Sequence, residues 1–86
     1  MPLYFSSHTT ACLTKQALKQ LMLDMMGDSE VKLRRTVSGQ IAGRMLTEVE
    51  ASDQPTLEKW FARRNINIEW MMRVDLDASD GEVKEY

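Results

Sequence analysis

The tightest constraint on this chain lies near its C-terminus. Ile66, Ile68, Trp70, Met72, Val74 and Leu76 alternate without a break against Asn67, Glu69, Met71, Arg73 and Asp75, and a period of two sustained this long is the mark of a strand with one buried face. Such a strand cannot stand alone: its backbone needs pairing partners and its apolar side needs a cover. The rest of an 86-residue chain must supply both within one small domain.

The remaining elements can be read toward that need. Leu3 to Thr9, rich in aromatic and hydroxyl residues after Pro2, reads as a short first strand. From Thr14 the period changes to 3.6, with Ala17, Leu18, Leu21, Met22 and Met25 on one stripe, and predicts an amphipathic helix. Thr14 serves as N-cap, Leu13 and Leu18 form a hydrophobic staple, and Gly27 is expected to end the helix by turning left-handed. Val31, Leu33 and Val37 alternate with Lys32, Arg34 and Thr36, with Arg35 the one dissonant inward position. After a turn at Ser38-Gly39-Gln40, a strand from about Arg44 to Ala51 closes a hairpin. Ser52-Asp53 offers cap oxygens, Pro55 fits a first helical turn, and Leu57, Trp60, Phe61 and Arg64 recur at helical spacing.

The order is β-α-β-β-α-β. Right-handed crossovers then place both helices on one face of a four-stranded antiparallel sheet, an α+β fold of the ferredoxin-like, split βαβ kind. The domain is expected over residues 1–76. Residues 77–86, with five acids from Asp75 to Tyr86 against Lys84 alone, are expected to be an acidic, frayed tail.

Charge and cysteine content narrow the function classes. Eleven Lys and Arg against thirteen Asp and Glu give a net charge of −2 and a pI of 5.3, the wrong sign for a phosphate-neutralising surface, so no nucleic acid is expected as partner. The single cysteine excludes an internal disulfide and any Cys-x-x-Cys zinc pair. No apolar run exceeds three residues, so no membrane segment or signal peptide is expected, and the cytoplasm is the expected location. No sequence motif calls for a cofactor or a metal.

Two helices cover one sheet face and leave the other open. By parity that open face is expected to carry Tyr4, Ser6 and His8, then Lys32, Arg34 and Thr36, then Arg44, Leu46, Glu48 and Glu50, then Asn67, Glu69, Met71 and Arg73. Only Tyr4 among these would stack a base, and Glu48 and Glu50 repel phosphate, so RNA binding is disfavoured. A face that mixes Tyr4, Leu46 and Met71 with pairable charges suits a homodimer of two facing sheets around a pocket.

The opening Met1-Pro2-Leu3-Tyr4-Phe5-x-x-His8 and the stretch Gly43-Arg44-Met45-Leu46-Thr47-Glu48-Val49-Glu50-Ala51-Ser52-Asp53, running into Leu57-Glu58-Lys59-Trp60, resemble small members of the dimeric α+β barrel superfamily. The resemblance covers residues 3–76 and implies a ferredoxin-like homodimer with a cavity. It carries no single activity, since relatives include monooxygenases, lactone isomerases, haem-degrading enzymes, a nickel-binding protein and ligand-sensing domains.

Among candidate chemical groups, His8 is the only histidine, placed by parity on the open face, where an imidazole can act as acid, base or ligand. Tyr4, Ser6, Arg34, Leu46, Glu48, Met71 and Arg73 are its expected pocket neighbours. Arg34 and Arg73 facing Glu48 or Glu69 would frame a carboxylate-bearing ligand, or simply pair across strands. Cys12, four residues after His8, adds a second soft ligand, but a closed metal site needs about four. Glu48 and Glu50, about 7 Å apart on one strand, are a spacing that paired-carboxylate hydrolysis also uses and that solvated strands commonly show. Trp60, Phe61 and Trp70, with Met22, Met25, Met26, Met45 and Met72, are spaced as core. The leading expectation is a homodimer binding a small, partly apolar or anionic molecule between sheet and partner. The alternatives are a cofactor-free monooxygenase or isomerase moving a proton on His8, and a metal-binding dimer using His8.

Overall fold

A computed structural model describes all residues, Met1–Tyr86. The chain runs β1 (Leu3–Thr9), α1 (Lys15–Met26), β2 (Lys32–Gly39), β3 (Arg44–Glu50), α2 (Gln54–Ala62), β4 (Ile68–Arg73), β5 (Leu76–Ser79) and β6 (Glu82–Glu85). The first four strands form one antiparallel sheet in the order β2-β3-β1-β4. With two helices on one side, this is the α+β arrangement that the element order predicts, consistent with a ferredoxin-like topology.

Local chemistry sets the helix boundaries. The Thr14 hydroxyl accepts from the Ala17 amide at the start of α1, and the Asp53 carboxylate accepts from the Thr56 amide at the start of α2, with Pro55 in the first turn where no intrahelical donor is lost. Gly27 closes α1 at φ −83°, so the expected left-handed exit does not occur there. That conformation is needed instead at Gly43, φ +66°, where the chain re-enters the sheet and a Cβ would lie 3.0 Å from the Ala11 Cβ.

The core sits between helices and sheet. Met25 from α1 and Leu57, Trp60 and Phe61 from α2 meet Tyr4, Met45, Val49, Ala51 and Ile66, and most of these are fully buried. Trp60 and Phe61 pack edge to face at 5.1 Å, the arrangement that ring quadrupoles favour. Arg64 lies over the Trp60 ring at 4.2 Å and also binds Asp24 and Asp28. The Glu30 amide and the Arg64 guanidinium together hold the Asp28 carboxyl down at about 2.

Two irregularities decide which side chains face which way. In β2 the register steps from Leu33 opposite Val49 to Arg35 opposite Glu48, which leaves Arg34 as an extra residue. In β4 it steps from Ile68 opposite His8 to Trp70 opposite Ser7, which leaves Glu69 extra. Each bulge reverses the parity of everything beyond it.

The parity expected for β1, and for parts of β2 and β4, is therefore corrected. Tyr4, Ser6 and His8 pair with Val49, Thr47 and Met45 and lie under the helices, because β1 is read one residue out of phase when its apolar Leu3 and Phe5 are taken for core. Thr36, paired with Thr47, also turns inward. Met71 packs against the core and Arg73 pairs with Tyr4, so neither faces the open side, whereas Trp70 and Met72 do. β3 follows its expected parity: Arg44, Leu46, Glu48 and Glu50 are outward.

Where a frayed tail is expected, residues 78–86 are exposed, but Leu76–Ser79 and Glu82–Glu85 are paired. β5 and β6 form a hairpin closed by Asp80-Gly81, at φ 52° and 78°, the tight turn in which both central residues take positive φ.

Candidate functional site

The histidine site expected on the open face is a buried polar cluster under α2. His8 is 0% exposed and its ring packs on Phe61 with centroids 4.2 Å apart. His8 Nδ1–H donates to the Asn67 carbonyl at 3.0 Å, so Nε2 is left to accept from the Ser6 hydroxyl at 2.7 Å. The Thr47 hydroxyl lies 2.5 Å from Ser6 Oγ and completes the chain. Burial lowers the His8 pKa, and the Asn67 carbonyl and the Glu69 charge offset this only in part. Both ring nitrogens are engaged, so the cluster reads as a satisfied polar core.

The open face holds a different set of groups. Phe5 from β1, Leu46 from β3, Val37 from β2 and Trp70 and Met72 from β4 share it by register. Val37 is 43%, Trp70 46% and Met72 52% exposed, while Phe5 and Leu46 are half-buried between them. Phe5 and Trp70 are in ring contact at 5.7 Å. These residues make one apolar band across four strands.

Charges frame the band. Arg44 binds Glu69 at 3.0 Å, and Ser7 donates to the same carboxylate at 3.0 Å. These partners, Arg44 first, hold the Glu69 carboxyl below its usual range. Lys32 and Glu50 approach to 3.9 Å. Arg34 donates to the Tyr86 hydroxyl at 2.9 Å, which ties the end of β6 to the far edge of the sheet. Glu48 and Arg35 face each other in register, yet neither makes an ion pair.

Two shallow depressions meet at Phe5 and Glu48. One, of about 230 Å³, is lined by Leu3, Phe5, Glu48, Met72, Val74, Leu76 and Asp77. The other, of about 210 Å³, is lined by Phe5, Arg35, Val37, Leu46 and Glu48. Of the residues expected at a pocket, the structure brings Leu46, Glu48 and Arg34 to this face and takes Tyr4, Ser6, His8, Met71 and Arg73 away from it. Phe5, Trp70, Met72, Val37 and Arg35 take their place. The available signal was Arg35, a charge that breaks an alternation at a bulge, and Met71, an apolar residue on the polar parity of its strand.

Cys12 is exposed in the β1–α1 loop, and no group of three or more His, Cys, Asp or Glu converges as a metal site. No helix is long and apolar enough to cross a membrane. Compared with known proteins, the chain matches no family model, no curated protein and no solved structure.

Proposed function

We propose that this protein acts as a homodimer through its open sheet face and that the dimer encloses a site for a small, partly apolar molecule. The observation that carries this reading is the apolar band of Phe5, Val37, Leu46, Trp70 and Met72 on the sheet face opposite the helices, where Val37, Trp70 and Met72 stay exposed. Apolar area of this kind is stabilised by removal from water at about 25 cal/mol per Å². A two-fold axis over such a face satisfies it by setting the same band of a second copy opposite.

A face-to-face dimer turns the open depressions into enclosed space. Phe5, Met72 and Leu76 form apolar walls, and the Glu48 carboxylate, free of an ion pair, offers a strong acceptor at the boundary of both depressions. This favours a ligand with an apolar body and a hydrogen-bond donor or amine at one end. An anionic ligand has Arg35 alone to meet it, since Arg34 is engaged by Tyr86. The readings that use His8 for proton transfer or metal binding have less support, because its nitrogens are committed and its ring is sealed under α2.

Native mass spectrometry of the purified protein over a concentration series tests the reading. A species of twice 9.9 kDa, with or without retained ligand mass, is expected. A monomer at every concentration, extending into the hundreds of micromolar, would overturn it.

A further inference from the structure

A further cleft lies between the β1–α1 loop and the chain that leaves α2. After α2 the backbone turns back at Asn65, φ 55°, the left-handed conformation that asparagine tolerates better than most residues. The Asn65 amide donates to the Ala62 carbonyl and the Ile66 amide to the Phe61 carbonyl, which closes the helix and carries Ile66 back toward the loop that leads into α1. The space between them, about 330 Å³, is walled by Leu13, Ala17 and Leu21 together with Ile66. It is larger than either depression on the open face and reaches the size, about 300 Å³, from which clefts enclose small molecules.

The polar groups of this cleft are not balanced within the chain. Thr10 lines it and is 4% exposed. The Thr10 amide donates to the Gly43 carbonyl and the Thr10 carbonyl accepts from the Leu13 amide, so its backbone is fixed and satisfied. Its hydroxyl is not: among the buried side-chain polar atoms, only Thr10 Oγ1 and the Trp60 indole nitrogen lack a hydrogen-bond partner. An orphaned buried hydroxyl costs the fold its lost hydration, and a group that bonds to it removes that cost. Asn65 and Asn67 add exposed side-chain amides to the same cleft. Arg64, the one charged residue of the lining, is already held by Asp24 and Asp28, so no uncompensated charge faces an occupant.

We infer that this cleft binds a small neutral molecule with an apolar body and an amide or other carbonyl group at one end. The body lies against Leu13, Leu21 and Ile66, the Thr10 hydroxyl donates to the carbonyl oxygen, and the amides of Asn65 and Asn67 meet the remaining polar atoms. A charged occupant is disfavoured, since it would give up water without meeting an opposite charge. None of these residues belongs to the apolar band of the open face, so the site needs no second copy of the chain and is separate from the one proposed above.

The test uses ε-caprolactam, a cyclic amide with an apolar ring, and its charged counterparts hexanoate and hexylammonium. Each is titrated into the isotope-labelled full chain and followed by heteronuclear NMR. Caprolactam is expected to shift the signals of Thr10, Leu13, Leu21 and Ile66 along a saturable curve, with a dissociation constant of about 10 mM or below. The charged probes are expected to bind there at least about tenfold more weakly. Thr10→Val keeps the side-chain volume and removes the hydroxyl; it is expected to lose about tenfold in affinity, while Thr10→Ser stays near the native value. Because the hydroxyl has no partner in the free protein, Thr10→Val is expected to unfold at the same urea concentration or a higher one. An affinity unchanged in Thr10→Val, or a charged probe that binds as well as caprolactam, would overturn the site. So would caprolactam shifts that map elsewhere or never saturate, a result read in the native sequence whether or not Thr10→Val folds.

Discussion

The two faces of the one sheet solve opposite problems. Under the helices, Trp60, Phe61, Met25, Met45 and Val49 are wholly buried, and the polar groups among them, His8, Ser6 and Thr47, bond to each other and to the Asn67 carbonyl. On the other side, Trp70, Met72 and Val37 stand half in water and the carboxylate of Glu48 has no cation. A tryptophan and a methionine occur on each side, so residue type does not separate them; what separates them is whether the fold itself supplies a partner. The side whose apolar groups are buried and whose His8, Ser6 and Thr47 are paired holds the domain together, and the side left half in water is where contact with another molecule is expected.

Substitutions in the two tryptophans break this comparison most sharply. Trp60→Ala is expected to cost about 3–5 kcal/mol of unfolding free energy, a large share of what a small domain has, as measured by urea denaturation. Trp70→Ala in dilute solution is the matching control and comes last in size. Between them stands Gly43→Ala, which puts a side chain at φ +66° and against Ala11. A loss of about 1–3 kcal/mol is expected in the same assay, and an unchanged midpoint would mean the turn relaxes freely.

The buried histidine sharpens the comparison through pH. Its folded pKa is lowered by burial, so the unfolded chain takes up the proton first as pH falls below about 6.5. The stability tied to neutral His8 is present above that value and is lost as pH falls toward the folded pKa, with a slope of at most about 1.4 kcal/mol per pH unit. Denaturation at pH 7.5 and pH 5.5 is expected to show this slope in the native sequence and a shallower one in His8→Gln. Equal slopes would mean that other groups set the acid response. Trp70→Ala is expected to change dilute-solution stability by less than about 0.5 kcal/mol and to weaken self-association; the reverse result would place Trp70 in the core.

Much of the scaffold is legible in the residues themselves. The caps at Thr14 and Asp53, the stripe Leu57-Trp60-Phe61 and the hairpin of β2 and β3 each follow from local chemistry, and the strand order follows from crossover geometry. The side each residue faces is less legible. Parity carries information only while the register is unbroken, and one extra residue inverts it. In β4 the alternation from Ile66 to Leu76 is perfect as a sequence, yet Glu69 is bulged, so Ile68 and Trp70 point to opposite sides. The hydroxyl-rich β1 hides its buried side because Ser6, His8 and Thr47 satisfy one another, a pairing visible only once β1 and β3 are adjacent. The Asp80-Gly81 turn was a legible hairpin signal, masked by the acidic composition around it.

The bulges also govern how copies of this chain can meet. Arg34 and Glu69 are the supernumerary residues of β2 and β4, and those are the two rims of the sheet. An exposed rim invites another strand to add on, and repeated addition is the route to fibrils; a charged residue that interrupts the ladder defeats it. With both rims interrupted in this way, sideways growth of the sheet into an open-ended array is disfavoured, which leaves closed, countable complexes the more accessible form of assembly.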